Sequence, residues 1–168
     1  MNNKREISLR YISRVEGQGS VLINVRDNTV ESVLLNIFEP PRFFERFLIG
    51  RKFDEVHYIT SRICGICPIA HVVTALRAVE NAVGIEVDEQ TKTLRKLLAM
   101  SGIIQSHVLH VFFLAAPDYL GYPEAIAMAN DYPEVVKKAF KLKKLANEIS
   151  AIIGGRAVHP VSASVGGF

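Results

Sequence analysis

The chain has 168 residues, a length that predicts one domain and at most two, with roughly 70% of the unfolded surface buried on folding. Apolar residues make up 49% and charged residues 22%, which excludes wholesale disorder. Lys and Arg number 20 against 17 Asp and Glu, and this scattered net charge of +3 is too small to mark a nucleic-acid-binding surface.

Residues 7–38 read as strands. Ile7, Leu9 and Tyr11 alternate with polar residues, as do Val21, Ile23 and Val25, and Asp27-Asn28 supplies turn chemistry before the β-branched run Val30 to Phe38. The pattern predicts a hairpin with one extra strand before it. Between them, the two glycines of Arg14-Val15-Glu16-Gly17-Gln18-Gly19 suit a sharp turn. After Pro40-Pro41 the period becomes helical. A short amphipathic piece, Phe43 to Ile49, should stop at Gly50, and residues 54–59 suit another helical turn. Pro68 fits the first position of a helix with the stripe Ile69, Val72, Leu76, Val79 and Val83, stopped by Gly84. Asp88 is the expected N-cap of a long helix to about Ala116, ended by Pro117, whose apolar second half from Ile103 should be buried. A last helix spans about Pro133 to Ile153, with Val135, Ala139, Leu142, Ala146, Ile149 and Ile153 inward and Lys137, Lys138, Lys141 and Lys144 in solvent. The sum is an α+β chain: a small antiparallel sheet over residues 1–40, then a bundle of long, partly buried helices over 41–168.

The longest apolar run, Val108 to Pro117, is interrupted by His110 and is short for a bilayer span, and Met-Asn-Asn-Lys-Arg-Glu lacks the apolar core of a signal peptide. Neither a membrane nor a nucleic acid is an expected partner. The closing Gly166-Gly167-Phe168 offers no terminal element and reads as a cut rather than a finished end.

Cys64 and Cys67 are the only cysteines, too few for a disulfide framework. Their two-residue gap lets both sulfurs converge on one metal or form one disulfide. Cys67 stands just before Pro68, where helix-terminal N–H groups and partial positive charge favour thiolate over thiol. Arg62 adds a fixed positive charge beside Cys64. His71 lies one helical turn past Cys67, placed to donate to a sulfur or bind a metal. Four readings compete. Inert core thiols do not ask for Gly, Pro, Arg and His neighbours. A thioredoxin-like pair needs a βαβ setting that is absent. A complete zinc site needs four ligands, and no second Cys pair or His-x₃₋₅-His pair follows. The fourth reading is a half-site, in which two soft thiolates begin a transition-metal centre and other ligands come from elsewhere.

Arg62-x-Cys64-Gly65-x-Cys67-x-x-x-His71 resembles the first cysteine motif of nickel–iron hydrogenase large subunits. Five further stretches resemble that family in order: Arg14-Val15-Glu16-Gly17; Arg42-Phe43-Phe44-Glu45; Ala78 to Gly84; Gln105-Ser106-His107-x-x-His110 with Ala116-Pro117-Asp118; and Gly154-Gly155-Arg156-x-x-His159-Pro160. The details look most like its soluble cytoplasmic branch, the sulfhydrogenase alpha-subunit type that couples to NAD(P).

The resemblance implies a nickel–iron centre with carbon monoxide and cyanide on the iron, Cys64 as a terminal nickel ligand and Cys67 bridging nickel and iron. It implies that Glu16 accepts the proton released when hydrogen splits, a role that burial of the carboxylate would favour. Glu45 would bind a structural magnesium ion. His71 and Arg62 would sit behind the sulfurs, with His107, His110 and His159 near them. Electrons would leave through a separate iron–sulfur small subunit to NAD(P)-linked diaphorase subunits. From the residues alone, Glu16 reads as a solvated turn carboxylate, Glu45 as the surface partner of Arg42 or Arg46, His107 and His110 as satisfied core histidines, and His159 as a loop cap.

The family completes its site with a second Cys-x-x-Cys near its C-terminus, which this chain lacks, together with the histidine of the magnesium site and a later arginine. Gln18 stands where the family usually has His. Two thiolates alone do not hold two metals in fixed geometry. The expectation is therefore the N-terminal part of a hydrogenase large subunit: an incomplete family fold that is inactive alone, needs the missing C-terminal half or a polypeptide supplying it, and self-associates through uncovered apolar faces if isolated. The alternative is a stand-alone thiolate metal-binding or interaction module. The related complex I quinone-site subunit lacks these cysteines.

Overall fold

A computed structural model describes residues 3–39 and 41–168, and it divides into two compact units between Phe43 and Phe44. The first is a three-stranded antiparallel sheet in the order β1 (Lys4–Leu9), β2 (Gly19–Arg26), β3 (Thr29–Ile37). The β2–β3 connection is a two-residue turn with positive φ at both Asp27 (46°) and Asn28 (64°), a backbone that matches strand twist and that short polar side chains tolerate. Arg14 also has a positive φ, and Gly17 follows at 87°, so the Arg14–Gly19 segment turns sharply as expected.

Register sets the faces of the sheet. Ile7 pairs with Ile23 and Ile23 with Val33; Leu9 pairs with Val21 and Val21 with Leu35. Directly opposed residues share a face, so these six line one side. The other side carries polar cross-strand bonds, Asn24 Nδ2 to Ser32 Oγ at 2.9 Å and Asn36 Nδ2 to Ser20 Oγ at 3.4 Å.

α1 (Pro41–Leu48) spans the boundary, and the second unit continues as α2 (Val56–Thr60), α3 (Pro68–Val83), α4 (Glu89–Leu109), α5 (Ala116–Leu120) and α6 (Pro133–Gly154). α3 begins at Pro68 and ends on Gly84 in the left-handed conformation (φ 72°), as the sequence indicates. Asp88 caps α4 by accepting the Thr91 N–H at 2.6 Å, a contact worth about 1 kcal/mol. Val72, Leu76 and Ala163 form a buried cluster with Val165 and Phe168 packed against it. The last residues are thus ordered: Ser164 and Gly167 close a small turn, held by the Arg95 guanidinium through the Ser164 and Gly167 carbonyls at 2.8 and 3.0 Å.

Three expectations change. Pro117 does not stop the long helix. Its ring would clash with the carbonyl four residues back, and the chain relieves this by widening to a π-helix over His110–Ala115, with the Ala116 N–H bonded to Val111 O, before α5 resumes. Glu89–Leu120 is therefore one continuous helical path of 32 residues, long and apolar enough by length and composition to cross a membrane. The Val108–Pro117 run underestimated this length because it counted apolar residues rather than helix. Arg95 and Gln105 on this helix are buried with partners inside the unit. Second, Ile103, Ile104 and Val111 are exposed rather than buried, since no described element covers that face. Third, the buried seam of α6 runs through Ala139, Ala146, Ser150 and Gly154; Leu142, Ile149 and Ile153 are only half-buried. Small side chains hold the seam because the neighbours pack tightly against it. Gly154 shows this: a Cβ there would lie 2.7 Å from Pro160 Cβ and 2.9 Å from Leu98 Cδ1.

Candidate metal centre

The cysteine loop grows out of a braced helix end. In α2 the hydroxyl of Thr60 bonds the Val56 carbonyl at 3.0 Å, and that of Ser61 bonds the Tyr58 carbonyl at 2.8 Å. A single 3₁₀ turn, Ser61–Ile63, follows, and Cys64 then swings into extended backbone (φ −141°, ψ 138°). From there the chain curls around the sulfur. The N–H groups of Ile66 and Cys67 both donate to Cys64 Sγ, at 3.3 and 3.1 Å. Cys67 is the N-cap residue of α3, with Pro68 in the first turn and the Ala70 and His71 N–H groups bonded to the Cys67 carbonyl at 3.2 and 3.4 Å. Both cysteines are half-buried. The lining is thus two sulfur side chains in a backbone cradle.

Arg62 is exposed within the 3₁₀ turn, and His71 is half-buried one turn into α3. His159 is brought to this loop across 98 residues, its Nδ1 lying 2.9 Å from the Ser61 carbonyl oxygen. His107 and His110 are not core histidines: both are exposed, and the His107 ring bonds the Ile103 carbonyl of its own helix at 2.8 Å. Glu45 is exposed on α1, and Glu16 is exposed in the sheet unit, so the burial that would suit a proton acceptor is not provided by the described residues. Among those residues, no three His, Cys, Asp or Glu side chains gather around a common point, so the two cysteines remain a pair.

Sequence reasoning missed three buried polar features. Glu80 and Arg95, 4% and 5% exposed, form a two-pronged ion pair between α3 and α4 at 2.7 and 2.6 Å. Gln105 Nε2 bonds Ser150 Oγ, Ser150 Oγ bonds Ser101 Oγ at 2.8 Å, and Lys143 Nζ donates to Gln105 Oε1 at 2.8 Å, joining α4 to α6. His57, 2% exposed, has no hydrogen-bond partner at either ring nitrogen among the described residues. Each pairing spans 15 or more positions, a separation on which periodicity carries no information, and His57 stands alone with no motif to flag it.

The site is thus a pair of half-buried cysteines set at the start of a helix in an α+β chain. The nickel-dependent hydrogenase family profile matches residues 42–138, including both cysteines. The alpha subunit of sulfhydrogenase 1 from Pyrococcus furiosus is 44% identical over 162 residues, covering 96% of this chain and 38% of that protein. The alpha subunit of the coenzyme F420 hydrogenase from Methanosarcina barkeri is 33% identical over 167 residues, with 96% of this chain and 37% of that protein covered. Among solved structures, an NAD⁺-reducing [NiFe]-hydrogenase in its H₂-reduced state superposes with a TM-score of 0.81 at 32% identity, covering 98% of this chain and 38% of that one. The reduced Ni-Fe-Se hydrogenase of Desulfomicrobium baculatum gives 0.75 at 27% identity, covering 97% of this chain and 38% of that one. The chain belongs to the nickel-dependent hydrogenase family and corresponds to the N-terminal portion of its large subunits. It spans about two fifths of the length of these relatives.

Proposed function

We propose that this chain is the N-terminal part of the catalytic subunit of a nickel–iron hydrogenase, where it supplies two of the four cysteine ligands to the metal centre. One observation carries the reading: Cys64 Sγ accepts two backbone N–H bonds while Cys67 stands at the N-cap position of the helix that follows, so two sulfur donors are set within one backbone turn. The bound nickel–iron pair, with carbon monoxide and cyanide on iron, supplies the chemistry of reversible hydrogen oxidation. A polypeptide matching the rest of the relatives' length supplies the other two sulfurs.

This chain's own contributions follow. Cys64 would hold the nickel, and Cys67 would hold nickel and iron together. Arg62 offsets thiolate charge, and His71 donates toward the sulfurs from α3. Glu16 would take up the released proton and pass it outward. Glu45 supplies a hard oxygen to a magnesium ion. Electrons leave through an iron–sulfur small subunit to NAD(P)-linked diaphorase subunits. The likeness to an NAD⁺-reducing enzyme supports that acceptor, and a soluble nicotinamide acceptor suits the cytoplasm.

The test is metal analysis of the completed subunit, obtained by co-expressing this chain with the remaining C-terminal portion of a relative. Cys64→Ser and Cys67→Ser are each expected to abolish nickel retention, and normal nickel content in either refutes the ligand roles. Glu16→Gln is expected to keep both metals yet lose hydrogen–deuterium exchange activity, and wild-type exchange refutes the proton role.

A further inference from the structure

We propose that His159 is a positioning residue for the cysteine loop: its Nδ1–H grips the Ser61 carbonyl where the chain leaves α2 for Cys64, and so fixes where the two sulfurs stand. The proposal rests on the reading of Cys64 and Cys67 as metal donors, but its geometry stands without any metal. A helix leaves its last carbonyls without intrahelical partners, and a buried carbonyl left so is unfavourable. Ser61 caps the C-terminus of α2 and is buried, and its carbonyl is met by the His159 ring at 2.9 Å. A carbonyl oxygen only accepts, so the proton must sit on Nδ1, and the neutral ring keeps its lone pair on Nε2.

The ring is presented from a rigid base. Gly154 O at the end of α6 receives the N–H groups of both Val161 and Ser162, at 2.8 and 3.2 Å. Pro160 is fully buried against Gly154. Between these anchors His159 adopts a φ of +54°, a left-handed backbone that a side chain with a Cβ disfavours and that persists only where the surroundings impose it. A histidine serving only as a loop cap would bond its own loop; this one bonds a carbonyl three residues ahead of Cys64. The clamp therefore ties the end of α6 to the entrance of the metal half-site.

The test uses the full 168-residue chain and needs no activity. Long-range proton–nitrogen correlation on the unsubstituted chain at alkaline pH is expected to show His159 as the Nδ1–H tautomer; an Nε2–H tautomer overturns the proposal. Amide exchange at Ile66 and Cys67, the two donors to Cys64 Sγ, supplies the second readout. His159→Ala is expected to speed both by about tenfold, as loss of one hydrogen bond holding the loop allows. His159→Asn, which tolerates positive φ and places an N–H near the Nδ1 position, is expected to restore slow exchange. Unchanged exchange in His159→Ala, or equal acceleration in both variants, overturns the clamp. A chain that passes both readouts but takes up no nickel when completed refutes the metal reading and leaves the clamp in place.

Discussion

Glu80 and Arg95 are sealed in the helical unit, where an ion pair is held by geometry rather than by water. Arg95 bonds both Glu80 oxygens, and the Gly166 N–H adds a third donor to the carboxylate at 2.8 Å. The guanidinium, more than the opposing effect of burial, holds the Glu80 carboxyl below its usual value of 4.5. His57 shifts for a different reason. Burial holds its ring below the usual 6.5, Asp54 pulling the other way and Arg95 adding to the lowering. Both folded values lie below the unfolded ones, so in each case the unfolded chain takes up the proton first and stability is lost as pH falls. The loss begins below about 6.5 for His57 and below about 4.5 for Glu80. Denaturant unfolding across pH is expected to show both limbs, with His57→Leu removing the upper one; a His57→Leu profile identical to wild type refutes the assignment. At neutral pH, Glu80→Ala is expected to cost about 3–5 kcal/mol, because it strands a buried guanidinium.

At the scale of elements, the pairing of α4 with α6 depends on what α6 leaves out. Its buried positions Ala139, Ala146, Ser150 and Gly154 recur every four or seven residues, so they fall on one face. The Ser101–Ser150–Gln105–Lys143 chain of bonds then sets the register of the two helices, since slipping one turn would unpair several buried polar atoms together. Gly154→Ala inserts a methyl group where Pro160 and Leu98 already stand at 2.7 and 2.9 Å. It is expected to cost about 1–3 kcal/mol by overpacking, read as a lower urea midpoint with an unchanged slope. No change in midpoint would show that the seam relaxes freely. The π-helical turns before Pro117 make the same point about context. The proline signal was correct about the lost N–H, but tertiary packing carried the helix onward through a wider turn.

Across the whole molecule, apolar surface remains without cover. Ile152 on α6 is 84% exposed and Phe140 and Leu145 are more than half exposed, while Leu35 on the sheet stands at 62%. Scattered exposed apolar residues are ordinary, but Leu145 and Ile152, seven residues apart, share one face of α6 and both stand open, as at an interface. The isolated chain is expected to elute above its 18.7 kDa monomer mass and to show no hydrogen-dependent dye reduction. Leu145→Lys with Ile152→Lys should shift it toward monomer, since charges on that face oppose apolar association. A monomeric, hydrogen-oxidising wild-type chain would refute this picture.

Local chemistry was enough to read the strands, the Asp27-Asn28 turn, the Pro68 start, the Gly84 stop, the Asp88 cap and the paired cysteines ahead of a helix. Each depends on residues within a few positions of one another, where turn geometry, capping and side-chain period act directly. The tertiary structure alone decided which helix faces met, that small residues rather than large ones line the α6 seam, that Glu80 would find Arg95, and that His159 would reach Ser61. Those outcomes depend on packing between segments 15 to 98 residues apart. There, the shape of the neighbour and the need to satisfy every buried polar atom settle the arrangement, and neither is written in the pattern of a single segment.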